Sequence, residues 1–215
     1  MNETRTASPR MPQETPSARR RQIVDTAIEL FGKWGFTGTS VDQIAAAVGM
    51  KKGSLYYHFE SKQEILDAIH AEVLEALFTQ AGFAAGVITQ AGLDPCEQLR
   101  QVIENHVEYQ WRNVRYLVVY DRERHLLPAS ARRKAHEQET EYTEAVVEIL
   151  RRCQESGCVD ATLDLEVLTY ALFGALTTLR RWKKARLASR ARRHEIATNL
   201  HALFTIDHVH PQSPG

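Results

Sequence analysis

The chain has no proline between Pro16 and Pro95, none between Pro128 and Pro211, and no glycine from Asp94 to Ser156. Stretches that long without a breaker, rich in Ala, Leu, Glu and Arg, sustain helices and little else. No segment alternates apolar and polar residues with the period of two that a half-buried strand needs. The expectation is an all-α protein. Ile23, Ala27, Leu30, Phe31 and Trp34 recur at helical spacing in a first helix from about Ser17, and Gly35 follows where a left-handed cap is wanted. Ser40 and Gln43 form a capping box that opens a second helix with Val41, Ile44, Ala45 and Val48 inward, and Gly49 ends it. A third, short helix covers about Lys52 to His58, and Ser61 with Glu64 opens a fourth. Further helices are predicted over 95–112, 114–125, 129–156, 163–186 and 189–206.

Composition narrows the function. Of the 215 residues, 43% are hydrophobic and 25% charged, an ordinary globular balance, and the net charge is zero. A neutral chain can still hold nucleic acid through a local basic patch. Cys96, Cys153 and Cys158 describe neither a disulfide framework nor a zinc site, so reduced thiols and a cytoplasmic location are expected. No signal peptide or membrane-length apolar run is visible. No phosphate loop, G-x-S-x-G or G-x-G-x-x-G occurs, and no cofactor or metal site is expected. His136-Glu137 and His194-Glu195 begin a zinc-protease motif, but Thr140 and Thr198 stand where its second histidine belongs. The chain does not read as an enzyme.

Residues 40–59 carry the most information. Two short helices flank a tight turn at Gly49. Ala45 is small where the helices must touch, Gly49 tolerates positive φ in the turn, and Leu55 seats the second helix. The three fall in register, as a helix-turn-helix requires. No acidic residue lies between Asp42 and Glu60. From Arg19 to Phe59 six bases stand against three acids, a local +3 in a neutral chain, which suits a phosphate backbone. Lys51, Lys52, Gly53, Ser54 and Tyr57 would then face base edges, with Tyr56 and His58 flanking them and Lys62 at the positive end of the fourth helix.

Residues 19–66 resemble the N-terminal domain of the TetR family of bacterial repressors. The resemblance rests on Ile23 to Phe31 with Gly35-Phe36, Thr39-Ser40-Val41, Ile44-Ala45, Gly49, the run from Lys52 to Phe59, and Ser61-Lys62-Gln63-Glu64. Many members carry serine where this chain has Lys51. The resemblance implies a three-helix helix-turn-helix domain joined to a larger helical domain for ligand binding and dimerisation. It implies repression of a palindromic operator in double-stranded DNA, relieved by a small-molecule effector. It places DNA contacts at Thr39, Ser40, Lys51, Lys52, Gly53, Ser54, Tyr56, Tyr57, His58 and Lys62. A ligand-free DNA-binding protein and an activator are the alternatives.

The expected organisation is a tail at 1–18, the DNA-binding domain at 19–65, the effector and dimerisation domain at 66–207, and a tail at 208–215. On the helix at 163–186, Leu165, Leu168, Leu172, Leu176 and Leu179 make a large-residue stripe, and Ala171, Gly174, Ala175 and Thr178 a small one. The small stripe, with Leu200 and Leu203 of the last helix, could form a four-helix dimer interface, or both faces could pack within one subunit. Candidate ligand residues are Trp111, Tyr116, Tyr120, Arg124, Phe173, Arg181 and Trp182, aromatic rings beside guanidinium forks. The run from Asp121 to Leu127 with Arg181-Trp182 resembles family members that respond to acyl-CoA, although Lys183-Lys184 replaces the continuation usual in them. An elongated, mostly apolar ligand with an anionic end is expected.

Overall fold

The computed structural model describes residues 16–77, 79, 92–182 and 187–206. Among them are eight α-helices and no strand: α1 (Pro16–Trp34), α2 (Val41–Val48), α3 (Lys52–Tyr56), α4 (Lys62–Ala76), α5 (Pro95–Glu123), α6 (Ala129–Glu155), α7 (Leu165–Thr178) and α8 (Arg190–Phe204). The chain divides into two compact units, Met1–Leu66 and Asp67–Gly215, with the boundary inside α4. The tails expected at 1–18 and 208–215 lie outside the described residues, except that 16–18 already form the first turn of α1, with Pro16 at a position where its missing N–H costs nothing.

In the first unit α1 turns Ile23, Val24, Ala27, Ile28 and Phe31 inward and packs on α2, which buries Ile44, Ala45 and Val48 and in turn packs on α3, where Leu55 is buried. Ser40 caps α2 as its spacing predicts: its hydroxyl accepts from Gln43 N at 3.1 Å, and Gln43 Oε1 accepts from Ser40 N at 2.7 Å. Gly49 sits at φ +72°, a backbone region that costs a residue with a Cβ about 1–2 kcal/mol. Its N–H bonds Ala46 O and that of Met50 bonds Ala45 O, which turns the chain sharply into α3. At the start of α4 the box is displaced by one residue. Ser61 Oγ accepts from Glu64 N, and Glu64 Oε2 accepts from the N–H of Glu60.

The second unit is built around α5, which packs on α6, α7 and α8. Asp94 accepts from Glu97 N at 3.1 Å and Pro95 occupies the first turn. The break expected near residue 113 is absent. Nothing between 95 and 123 ends a helix, and Asn113 joins the regular pattern by bonding Tyr109 O at 3.0 Å. The helix expected to reach residue 186 stops earlier. Thr177 and Thr178 bond back to Phe173 O and Gly174 O, α7 tightens into a 3₁₀ turn at Leu179–Arg181, and Trp182 is extended. Residues 183–186 lie outside the described set. The two faces of α7 separate as their side chains suggest. Leu168, Leu172, Leu176 and Leu179 are buried, while Ala171, Gly174 and Thr178 are exposed beside Val167 and Tyr170.

Cys153 and Cys158 are buried and Cys96 is half-buried, and all three are free thiols. Burial pushes Cys96 up to about 12 and the other two to about 11, so they stay protonated and unreactive at neutral pH. Among the described residues no helix is long and apolar enough to cross a membrane.

Candidate functional sites

The turn at Gly49 leaves α3 with only Leu55 buried. Lys51, Lys52, Gly53 and Ser54 are exposed, Tyr56 is 43% and Tyr57 83% exposed, and Ser40 is exposed at the start of α2. The Tyr57 ring meets the edge of the His58 ring, 5.3 Å between centres, and is otherwise largely open to solvent. Lys52 Nζ pairs with Asp42 at 2.8 Å across the turn, and this hydrogen bond raises its pKa. A phosphate reaching Lys52 competes with that carboxylate.

Two residues assigned to DNA by resemblance are committed within the unit. Thr39 is buried, and its hydroxyl donates to Gly35 O at 2.8 Å and Leu30 O at 3.3 Å. Lys62 is half-buried; its ammonium donates to Phe36 O and Thr39 O at 2.7 Å each and lies over the Phe36 ring. His58 is half-buried. Arg20, counted among the local bases, is also a brace. It donates to His58 O and Glu64 Oε1, and its guanidinium sits 3.8 Å from the centre of the Phe59 ring.

The second unit holds a partly open cavity of about 790 Å³. Val73, Leu74, Leu77, Leu117, Val147 and Phe173 give it apolar walls, and Tyr109, Tyr120, Tyr142 and Tyr170 add rings with a polar edge. Of the ligand residues expected from sequence, Tyr120, Arg124 and Phe173 line it. Trp111, Tyr116, Arg181 and Trp182 are not among its described lining residues. Trp111 lies under the Arg193 guanidinium, Tyr116 is in the core, and Arg181 and Trp182 are exposed beyond the end of α7, where helical spacing no longer aims side chains.

His106, Gln110, Glu139, Tyr142 and Glu166 line the cavity and were not picked out from sequence, while Asp121, which also lines it, was noted only as part of the run to Leu127. The signal was present for α5: His106, Gln110, Leu117, Asp121 and Arg124 recur three, four or seven apart, so polar residues interrupt an apolar face. Arg180 pairs with Asp121 at 2.8 Å. Arg124 pairs with Glu139 at 3.2 Å, and Tyr120 donates to the same carboxylate at 2.6 Å. Burial raises the pKa of Asp121, and Arg180 opposes that shift.

His106 is buried, with Nδ1 3.1 Å from the Tyr142 hydroxyl and Nε2 3.1 Å from the Gln110 amide nitrogen. Burial first, and the charge of Arg180 second, push its pKa down to about 4. The imidazole is therefore neutral at physiological pH and holds one N–H. Because the unfolded chain protonates near pH 6.5, the unfolded state binds more protons between 6.5 and 4. Stability from neutral His106 is full above pH 6.5 and is lost as the pH falls toward 4, by about 3 kcal/mol in total. Chemical denaturation at stepped pH should show this acid limb in the wild type and a shallower one in His106→Gln. Equal limbs would refute the assignment.

The second unit also carries an uncovered apolar face. Val167 and Tyr170 of α7 are 66% and 71% exposed, and Leu203 of α8 is 77% exposed. Gly174 and Ala171 lie with the first two, Ala175 and Leu200 are half-buried, and Ile206 follows α8 at 47%.

Comparison with known proteins agrees with both units. Residues 23–69 match the family model described as bacterial regulatory proteins, tetR family. Residues 92–204, more than half the chain, match the tetracyclin repressor-like C-terminal domain. The chain belongs to the TetR family. It is a helix-turn-helix transcriptional regulator, and its relatives include named repressors. HTH-type transcriptional repressor KstR2 of Rhodococcus jostii is 30% identical over 152 residues, covering 70% of this chain and 72% of the relative. The TetR-family regulator PfmR of Thermus thermophilus superposes with a TM-score of 0.71 at 31% identity, over 84% of this chain and 95% of that one. AibR, solved with isovaleryl coenzyme A and operator DNA, shares the fold with a TM-score of 0.72 at 24% identity, over 86% of this chain and 97% of its own.

Proposed function

We propose that this TetR-family member is a dimeric repressor that grips a palindromic operator with α3 and lets go when a small molecule fills the cavity. The observation that carries the reading is the α2–Gly49–α3 turn, which buries Leu55 and leaves Lys51, Lys52, Gly53, Ser54 and Tyr57 exposed. Lys and Tyr at those positions can reach phosphate and base edges. Ser40, Tyr56 and His58 flank them. Thr39 and Lys62 serve the interface by bracing the loop before α2 and by peripheral contact.

The exposed α7–α8 face fits the same reading. Val167, Tyr170, Ala171, Gly174, Thr178 and Leu203 form an apolar strip whose small residues let two helices approach, and a two-fold partner covers it with its own copy. The cavity favours a ligand-released repressor over a ligand-free DNA binder, because about 790 Å³ lies within the range of small-molecule sites. An acyl-CoA or comparable lipid-derived molecule suits it, with the acyl part among the rings and aliphatic walls and the charged remainder outside. AibR was solved with such a thioester.

Lys52→Ala tests the DNA reading. It should weaken operator binding by about 1–3 kcal/mol and flatten the salt dependence, without altering the melting temperature. The exposed pair with Asp42 is too solvated to matter for folding. Unchanged affinity at moderate salt would remove α3 from the interface.

A further inference from the structure

We infer that the enclosed part of the ligand is uncharged and carries a hydroxyl, read by the buried group of Gln110, His106 and Tyr142. The inference rests on the ligand-binding reading above and specifies what that cavity selects.

Charge argues first. The described lining holds two arginines, Arg124 and Arg180, against three carboxylates, Asp121, Glu139 and Glu166. Both arginines are already matched, Arg180 to Asp121 and Arg124 to Glu139. A ligand carboxylate buried here would meet a net negative wall and would have to break an existing pair to find a cation. Taking an anion out of water without a partner costs several kcal/mol. The arginines keep the carboxylates in place and leave no cationic socket among the described lining residues.

The buried polar group argues second. Gln110, His106 and Tyr142 are each no more than 3% exposed, yet all three line the cavity. The neutral imidazole bridges the Tyr142 hydroxyl and the Gln110 amide, so one end of that amide is used. The other end, Oε1, is buried and has no hydrogen-bond partner among the described residues. Turning the amide over exchanges the two ends and leaves the NH₂ unmatched instead, so either orientation strands a polar atom beside the cavity. A stranded buried polar group is costly until something bonds it. A hydroxyl both donates and accepts, and so satisfies either orientation. An ether oxygen only accepts, and a hydrocarbon does neither.

The surroundings keep such a ligand in place. The rings of His106, Tyr109, Tyr142 and Phe173 stand 5.7–6.0 Å apart in a connected cluster, which gives flat, rigid walls around the polar atoms. Discrimination in a site of this kind comes from what an unsuitable ligand leaves unpaired.

The test is equilibrium binding to the full-length protein without DNA, using decan-1-ol, its methyl ether, and decanoate at neutral pH. In the wild type the alcohol should bind up to about tenfold tighter than the ether, which can be bonded only when the amide turns over, and decanoate should bind weakest. In Gln110→Leu the alcohol should lose its advantage while the ether binds as well as before or better, because the amide is gone and His106 Nε2, left without its partner, can donate its proton to either oxygen. The ether thereby reports that the variant is folded. Decanoyl-CoA and 10-hydroxydecanoyl-CoA form a second arm. A hydroxyl preference there, again lost in Gln110→Leu, shows that the same group is read on a thioester. Decanoate equal to or tighter than the alcohol, an alcohol preference that survives Gln110→Leu, or no binding by either neutral ligand overturns the inference. Because DNA is absent, failure here is distinct from failure of the repressor reading, which operator binding decides.

Discussion

A leucine at position 174 is expected to leave the chain folded but monomeric, and to lower operator affinity by about 10²–10⁴-fold as the two half-sites lose their linkage. Gly174 is exposed in the middle of α7, and a Cβ built there meets nothing within 4 Å. Within one chain a side chain can therefore start from this exposed position without its Cβ meeting a neighbour. The substitution replaces a poor helix former with a good one, worth about 1 kcal/mol in an exposed helix. Against a partner helix drawn close by Ala171, Gly174 and Thr178, the same leucine is an obstruction costing about 1–3 kcal/mol at each copy of the contact. Sedimentation should find the wild type dimeric and the variant monomeric, with a melting temperature set by the chain alone. A variant that stays dimeric would place the interface elsewhere.

Arg193→Met is expected to destabilise the second unit by about 2–3 kcal/mol, chiefly because a largely buried guanidinium no longer bonds two backbone carbonyls, while Glu108 is 31% exposed and stays solvated. The Arg193 side chain is only 10% exposed. Its guanidinium pairs with Glu108 at 2.6 Å and donates to Leu187 O at 2.8 Å and Ala188 O at 3.0 Å. It also lies over the Trp111 ring, 5.1 Å from its centre. One side chain thus ties the first turn of α8 to α5 and to the residues just before α8. Methionine fills part of the volume but leaves two carbonyls without their donor and Glu108 with only its longer pair to Arg112 at 3.7 Å. Lysine would restore charge without the planar fork, and should recover only part of the loss. Because dimerisation shifts apparent stability, wild type and variants are compared by thermal unfolding at one protein concentration. A loss below about 1 kcal/mol would mean that solvent replaces the guanidinium, as at surface pairs.

The helix-turn-helix was legible because its determinants are local. Ser40 and Gln43 find each other three residues apart, Gly49 needs only its own φ, and Leu55 is the one residue of α3 that must point inward. What was misread depended on contacts distant in sequence. Arg20 looked like one more base, yet it reaches His58 and Glu64 some forty residues on. A break was placed near residue 113 where no breaker stands. Helical spacing was carried past Thr178, where threonine back-bonding and a 3₁₀ turn end it, so Arg181 and Trp182 follow a different course from the helix that lines the cavity. The cavity's polar group was out of reach for the same reason. Tyr142 belongs to α6 and meets His106 of α5 only once both helices have packed. The polar positions on the inner face of α5 were visible, but their partner was not.

The central claim, that α3 of a two-fold dimer reads DNA, is tested most directly by selecting binding sites for the wild-type protein from a pool of random duplexes. The account predicts enrichment of an inverted repeat whose half-sites are separated by about one helical turn, 34–36 Å, or a multiple of it, bound by one or more complete dimers. Lys52→Ala should bind that selected site more weakly than wild type. Enrichment of no sequence, or of an unrepeated site that Lys52→Ala binds as tightly as wild type, would contradict it.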